Sequence, residues 1–174
     1  RLSEQASYDI LKGKVLSFNT QFSYVKSSSR LDKSEPSTAN VDRMSSALSE
    51  SRQMTTWNIE NYFTFNKIFG AHSVMALLGQ SAEGITSKYS SMEGRYLSSD
   101  YIHVVNGVSK DNLTAYSGIE EAKAASFFAR ASYIFKDRYS ISSSIRTDGS
   151  SRFGSNQRWG TFPTASAFWL VSEE

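Results

Sequence analysis

Side chains alternate between apolar and polar types from residue 14 to residue 26, and no other feature of the sequence constrains the fold more strongly. The apolar set comprises Leu16, Phe18, Thr20, Phe22 and Tyr24, and the polar set comprises Ser17, Asn19, Gln21 and Ser23. A period of two places each set on one face of a β-strand, whereas a helix would spread both sets around its circumference. The segment is therefore predicted to be a strand that separates an apolar environment from a polar one.

Similar alternation elsewhere predicts an antiparallel meander of about seven strands. The predicted strands are residues 5–11, 14–26, 54–66, 72–83, 124–135, 139–148 and 164–171. Short turns are predicted near Lys12, Ile68 and Asp137, and longer polar connections at residues 27–53, at residues 84–123 and near Gly149. Within residues 84–123, a short strand is predicted at 101–105 and a helical turn at 119–125. Short turns that alternate with long loops are typical of outer-membrane barrels, which keep the two kinds of connection on opposite sides.

The composition excludes several classes of protein. Formal net charge is +2, from 19 basic and 17 acidic residues spread along the chain, so there is no electrostatic footprint for nucleic acid. The sequence has no cysteine, which excludes disulfides and thiolate chemistry. No apolar stretch approaches the roughly 20 residues of a membrane helix, but membrane strands show lipid only every second side chain and escape that test.

No constellation of residues supports catalysis or metal binding. The two histidines, His72 and His103, lie far apart in the sequence and have no metal-like spacing. Serine is abundant, yet the sequence contains no G-x-S-x-G elbow. The run from Asp148 to Arg152 places glycine and serine beside arginine, but a strand follows it instead of a helix, so turn chemistry is favoured over a phosphate site. We expect no enzymatic activity, no metal and no cofactor.

A more specific signal comes from the segment between the last two predicted strands. It reads Arg146-Thr147-Asp148-Gly149-Ser150-Ser151-Arg152-Phe153-Gly154 and is followed by Trp159-Gly160-Thr161-Phe162-Pro163. Residues 55–61, 69–72, 77–80 and 128–139 extend the same similarity along most of the chain. In their residues and their order, these segments resemble the barrel of the SusC/RagA-like TonB-dependent transporters, the outer-membrane nutrient importers of Bacteroidetes.

The resemblance implies an all-β fold in which the chain forms part of a large transmembrane β-barrel. Barrels of this family have about 22 strands and enclose a plug, so residues 1–174 are expected to be a partial barrel domain that lacks the plug and the remaining strands. The resemblance further implies import of an oligosaccharide or a peptide, with a SusD-like surface lipoprotein as a lid and TonB as the energising partner. The expected location is the lipid bilayer of the bacterial outer membrane.

Two groups of site residues follow from this interpretation. Candidate lumen-facing residues that contact substrate or a partner are Asn58, Glu60, Arg130, Arg146, Asp148, Arg152 and Trp159. Candidate members of aromatic girdles at the two membrane interfaces are Tyr24, Trp57, Phe65, Tyr133, Tyr139 and Trp169. Alternation alone favours the solvated side of a soluble sheet for the polar residues, whereas the resemblance and the alternation of short and long connections favour the barrel lumen.

A soluble β-sandwich that binds carbohydrate is the competing interpretation. It would use loop aromatics such as Tyr96, Tyr101, Tyr116 and Trp159. Its strands would bury their apolar faces against a second layer of the same chain. The two folds therefore differ in the environment of Phe18, Phe22, Ile59, Phe63, Phe127 and Tyr133.

Overall fold

The protein is a seven-stranded sheet, in a computed structural model that describes residues 1–39, 41–42 and 44–171. The strands are β1 (Leu2–Asp9), β2 (Leu16–Glu35), β3 (Ser46–Phe69), β4 (His72–Arg95), β5 (Leu113–Phe135), β6 (Tyr139–Ser150) and β7 (Trp159–Trp169). Each strand is hydrogen-bonded to its neighbours in sequence, in the order β1 to β7. The predicted all-β antiparallel meander is therefore confirmed. Predicted strand residues 164–171 overlap β7.

Tight reversals connect three of the strand pairs. Gly70 begins the two-residue connection between β3 and β4 with φ +58°, a conformation that glycine adopts without steric cost. Between β5 and β6, Lys136 and Asp137 both have positive φ, and the Arg138 N–H donates to the Phe135 carbonyl at 3.1 Å. That pattern is the hairpin turn whose twist matches the flanking strands. Between β1 and β2 the chain reverses through Lys12–Lys14, where Gly13 and Lys14 both have positive φ.

The long connections are shorter than the sequence predicts, because the strands continue into them. Most of residues 27–53 belongs to β2 and β3, and the connection itself spans residues 36–45. Likewise, β4 and β5 take up both ends of residues 84–123 and leave residues 96–112 as the connection. The helical turn predicted at 119–125 is wrong, since these residues lie within β5, and no strand forms at 101–105. These strand extensions are mainly polar, with scattered apolar residues such as Ile85, Met92 and Ile119, and so lack the clean alternation by which strands are recognised.

The register of the paired strands gives the sheet one apolar and one polar face. Between β5, β6 and β7, Ile145 lies opposite Ala129 and Pro163, which defines the apolar face. Its sequence neighbour Arg146 belongs to the other face, the polar face. The same division runs through the first hairpin, where Tyr8 pairs with Phe18 and Asp9 pairs with Ser17.

The apolar face has no second layer packed on it within the described residues. Ala47, which is 1% exposed, is the only buried hydrophobic side chain among the described residues. Among the residues whose environment differs between the barrel and the sandwich, Phe127 is 54% exposed and Phe63 is 44% exposed. A sandwich requires a core about 10 Å thick between two sheets. A single sheet with a bare apolar face does not supply one, so the competing fold is not supported.

The chain forms two compact units. Unit 1 comprises Arg1–Tyr24, Thr56–Gly84 and Ala122–Glu174, and unit 2 comprises Val25–Thr55 and Ile85–Glu121. Unit 1 contains the regions of clear alternation, whereas unit 2 contains the polar strand extensions and the two long connections. None of the helical turns in the described part of the chain has the length or apolarity that a membrane-spanning helix requires.

Candidate functional site

The arginine that opens the motif is held in place on the polar face of unit 1. Arg146 Nε donates to both carboxylate oxygens of Asp148, at 2.7 and 3.0 Å. Its Nη2 donates to Ser126 Oγ at 3.2 Å, and its Cζ lies 5.9 Å from the centroid of the Phe128 ring. Ser126 and Phe128 reach this position because β5 pairs with β6 so that they face Asp148 and Arg146. The guanidinium is thus oriented by an ion pair, a hydroxyl group and a ring at once.

A surface cavity of about 580 Å³ opens beside this arginine. Arg146, Asp148, Glu83 and Arg158 give it two cationic and two anionic side chains. Aromatic rings complete the lining, including Phe162, which lies opposite Arg146 in the register of β6 and β7. Such a cavity can bind a polar ligand through charge-assisted hydrogen bonds and stacking. In the described part of the chain, no group of three or more His, Cys, Asp or Glu side chains could hold a metal ion.

The remaining predicted lumen-facing residues divide between the polar face and the loop. Asn58 and Glu60 lie on the polar face, because the contact of Phe63 with Phe18 and the hydrogen bond of Asn61 with Thr20 place the odd-numbered residues of β3 on the apolar face. Arg130 is also on the polar face, opposite Ser144. None of these three lines the cavity, and Arg152 is an exposed residue of the β6–β7 connection.

Trp159 also lines the cavity, and strand register places it on the apolar face; its contact with substrate or a partner stays a prediction. It pairs with Gly149 in the register of β6 and β7, and its ring stacks on Phe127 with 6.1 Å between the centroids. The prediction treated Trp159 as a loop residue, but β7 begins at this position and thereby fixes its side. The cavity residues that the sequence analysis missed are Glu83, Ser126, Phe153, Gln157, Arg158 and Phe162. Strand register brings most of these residues together, and the sequence pattern does not contain the register.

Several predicted girdle aromatics form a row at the short-turn end of the apolar face. Ring centroids are 4.9 Å apart for His72 and Phe135, 6.3 Å for Phe135 and Tyr139, and 6.2 Å for Tyr139 and Trp169. Tyr133 joins this row through its hydroxyl group, which lies 2.6 Å from His72 Nδ1. Offset contacts of this kind stabilise neighbouring strands by about 0.5–1.5 kcal/mol for each pair. An interfacial role for these residues stays a prediction.

Three glycines of the sheet are covered by aromatic rings from neighbouring strands. The Trp57 indole lies directly on Gly84, and the Trp159 indole lies 2.8 Å from where a Cβ of Gly149 would stand. On the polar face, Phe128 and Tyr62 crowd Gly79. Because glycine has no side chain, the ring contacts the backbone itself and replaces the missing packing.

In unit 2, one carboxylate joins the two long connections. Asp100 Oδ1 accepts the backbone N–H of Ser37 at 2.8 Å, and Oδ2 accepts the Ser37 hydroxyl at 2.7 Å. These hydrogen bonds, that of the backbone N–H first, hold the pKa of Asp100 below its ordinary value. Near them, Ser34 Oγ lies 2.9 Å from His103 Nδ1.

Loss of this carboxylate is expected to release the connection at residues 96–112. Asp100→Ala should make limited proteolysis within that connection faster, whereas Asp111→Ala, in the same connection but with no side-chain bond to Ser37, should leave the rate unchanged. Because the pKa of Asp100 is lowered by folding, its contribution is complete at neutral pH and is lost only as the pH falls below the ordinary aspartate value. Equal cleavage rates for the two variants at neutral pH would contradict this assignment.

Comparison of the sequence with those of known proteins finds relatives of this chain. The chain is 30% identical over 183 residues to TonB-dependent receptor P3 of Formosa agariphila, a match that covers 100% of this chain and 18% of that protein. It is 40% identical over 117 residues to TonB-dependent receptor P39 of the same organism, covering 66% of this chain and 11% of that protein. No protein-family model matches the sequence.

A solved structure shows the same fold. The structure described as the RagAB peptide transporter superposes with a TM-score of 0.90 at 20% identity, covering 99% of this chain and 20% of that one. The chain spans less than a fifth of the length of the curated relatives it matches. As the motif resemblance predicted, the chain belongs to the SusC-like TonB-dependent receptor family, and its fold corresponds to a seven-stranded segment of the β-barrel of such a receptor.

Proposed function

We propose that this chain is part of the wall of an outer-membrane importer that takes up an oligosaccharide or a peptide. The observation that carries the proposal is the bare apolar face of a single sheet. Exposed side chains such as Ile141, which is 59% exposed, and Phe127 would be unfavourable in water over so wide an area. Against lipid tails the same face is favourable, since the backbone polar groups are already paired between strands.

Strand length agrees with this role. A strand needs about 9–11 residues to cross the apolar layer when it is tilted. β3 and β4 each have 24 residues, which leaves more than half of each strand for regions outside that layer. The strand extensions of unit 2 are mainly polar, which suits an aqueous environment. We therefore assign the short turns to the periplasmic side and the two long connections to the outside of the cell.

The polar face then lines the interior of the barrel. Asn58, Glu60 and Arg130 are proposed to face this water-filled space, together with the ion pair of Arg146 and Asp148. Arg152 is proposed to contact cargo or a partner from the β6–β7 connection. Trp159, which lines the cavity and stacks on Phe127, is likewise proposed to contact cargo or a partner. Tyr24, Trp57, Phe65, Tyr133, Tyr139 and Trp169 keep their proposed girdle roles.

Partners and mechanism follow from the proposed role. A SusD-like lipoprotein is proposed to close over the connections at residues 36–45 and 96–112, and TonB is proposed to act through a region of the whole protein outside this chain. Import of this kind binds and releases cargo without forming or breaking a bond in it. Residues 1–174 are accordingly proposed to be one part of the barrel domain, which closes only with further strands.

Deletion of the gene that encodes this chain should abolish uptake of one class of cargo. The deletion strain is expected to lose growth on either an oligopeptide mixture or an oligosaccharide mixture as sole source, and to grow normally on free amino acids and glucose. The tagged full-length protein, extracted from outer membranes in detergent, should bring a lipoprotein with it. Normal growth on both mixtures, or a protein found only in the soluble fraction, would overturn the proposal.

A further inference from the structure

The short-turn end of the apolar face combines exposed aromatic rings with cationic side chains. We call this surface the short-turn ledge and define it by Lys67, Phe69, His72, Tyr133, Phe135, Lys136, Tyr139 and Trp169. The rings from His72 to Trp169 form the row described above, which passes from β4 across β5 and β6 to β7. Phe69 is 47% exposed and Trp169 is 52% exposed, so the ledge presents rings to whatever surrounds the protein.

Two ammonium groups stand over this ledge. Lys67 Nζ lies 5.0 Å from the centroid of the Phe69 ring, and Lys136 Nζ lies 5.3 Å from that of Phe135. The turn that follows Lys67 and Phe69 is joined to Lys136, because the backbone N–H of Lys136 donates to the carbonyl of Ala71 at 2.7 Å. Each lysine stem therefore covers apolar surface while its charge is held at the level of the rings.

Among the residues that the structure describes, these two lysines have no carboxylate partner. The ion pairs in that part of the chain join Arg30 to Asp32, Lys33 to Glu35, Arg95 to Glu93 and Arg146 to Asp148. The ledge contributes to none of them, although its turn also contains Asp137 and Arg138, whose opposite charges offset each other. The ledge thus has two unneutralised positive charges beside an apolar surface, and an anion with an apolar body complements both.

We propose that the short-turn ledge is a binding site for an anionic membrane phospholipid. This inference rests on the proposed function, since it requires the apolar face to lie in a bilayer. The lipid phosphate would accept hydrogen bonds from Lys67 Nζ and Lys136 Nζ, and the upper part of the acyl chains would lie against Phe135, Tyr139 and Trp169. Free phosphate would use the two ammonium groups but none of the rings.

The test compares lipid retention by the full-length protein and a charge-removed variant. Lys67→Gln with Lys136→Gln removes both charges and leaves polar side chains that are one atom shorter. Lys26→Gln with Lys110→Gln removes two cations away from the ledge. Native mass spectrometry with added dioleoylphosphatidylglycerol measures the bound lipid, and dioleoylphosphatidylcholine and inorganic phosphate serve as competitors. The ledge variant should bind phosphatidylglycerol roughly twentyfold more weakly, and the control pair should bind it as the wild type does.

Each outcome decides the inference. Retention of phosphatidylglycerol by a charge-preserving variant, Lys67→Arg with Lys136→Arg, supports a phosphate site. Equal loss from the control pair, or displacement of the lipid by inorganic phosphate alone, overturns it. If the double glutamine variant does not fold, Lys136→Gln alone decides, with an intermediate loss expected. Failure of the proposed function would appear differently, as a wild-type protein absent from the outer-membrane fraction, whereas failure of this inference leaves a membrane-inserted importer whose lipid binding ignores both lysines.

Discussion

Ile145→Arg is expected to lower the free energy of unfolding of the membrane-inserted protein by about 2–4 kcal/mol. Ile145 lies on the apolar face, between Ala129 of β5 and Pro163 of β7, and is 48% exposed. If this face meets lipid, the new guanidinium must either lose its hydration or distort the bilayer around it. The change can be measured by urea unfolding in phospholipid vesicles, and in cells by the amount of folded protein in the outer membrane.

The matched control puts the same side chain on the opposite face of the same strand. Ser142 lies opposite Ser132 and Ser166 on the polar face, and its hydroxyl lies 2.7 Å from that of Ser166. Ser142→Arg should cost about 1 kcal/mol or less, since it gives up one exposed hydrogen bond and its charge stays in water. A larger loss for Ser142→Arg than for Ile145→Arg would reverse the assignment of the two faces and remove the basis of the proposed function.

The fold could be predicted from the sequence wherever the two faces of a strand meet different environments. Tyr8 and Phe18 alternate with Asp9 and Ser17, so both strands of the first hairpin were recognised and their faces correctly assigned. The extensions of β2 to β5 escaped recognition for the converse reason. In the stretch from Lys26 to Glu35, for example, only Leu31 is apolar, so neither face is distinguished by its residues. Such a strand is specified by its hydrogen-bonded neighbours, which a local pattern does not contain.

The candidate site was predictable only in part, because its residues come together through strand register. Arg146 and Asp148 are two positions apart, so a single strand already places them on one face and allows their ion pair. Ser126 is 20 positions from Arg146 and faces Asp148 only through the pairing of β5 with β6. A shift of one residue in that pairing would send Ser126 and Phe128 to the apolar face. The sequence thus identified Arg146 as a candidate site residue, but it did not show that Ser126 and Phe128 contact it.

Gly79→Ala is expected to destabilise the protein by about 1–3 kcal/mol, although it adds only one methyl group. A Cβ at this position would lie 2.5 Å from Phe128 Cε2 and 2.7 Å from Tyr62 Cβ. The Phe128 ring can move, but Tyr62 Cβ is fixed to its backbone, so the strands themselves must shift apart. The free energy of unfolding in urea measures the cost, with Gly154→Ala as the control, because a Cβ at Gly154 meets no atom within 4 Å.

A double substitution shows whether the ring on Gly79 is the cause. In a Phe128→Leu background the added methyl group meets a smaller side chain, so Gly79→Ala should cost less than it does in the wild type. Part of the cost should remain, since the smaller side chain relieves the contact with the ring but not the one with Tyr62 Cβ. If the two substitutions are additive, Phe128 does not cover Gly79 in the folded protein, and the placement of β5 beside β4 that produces this contact is wrong.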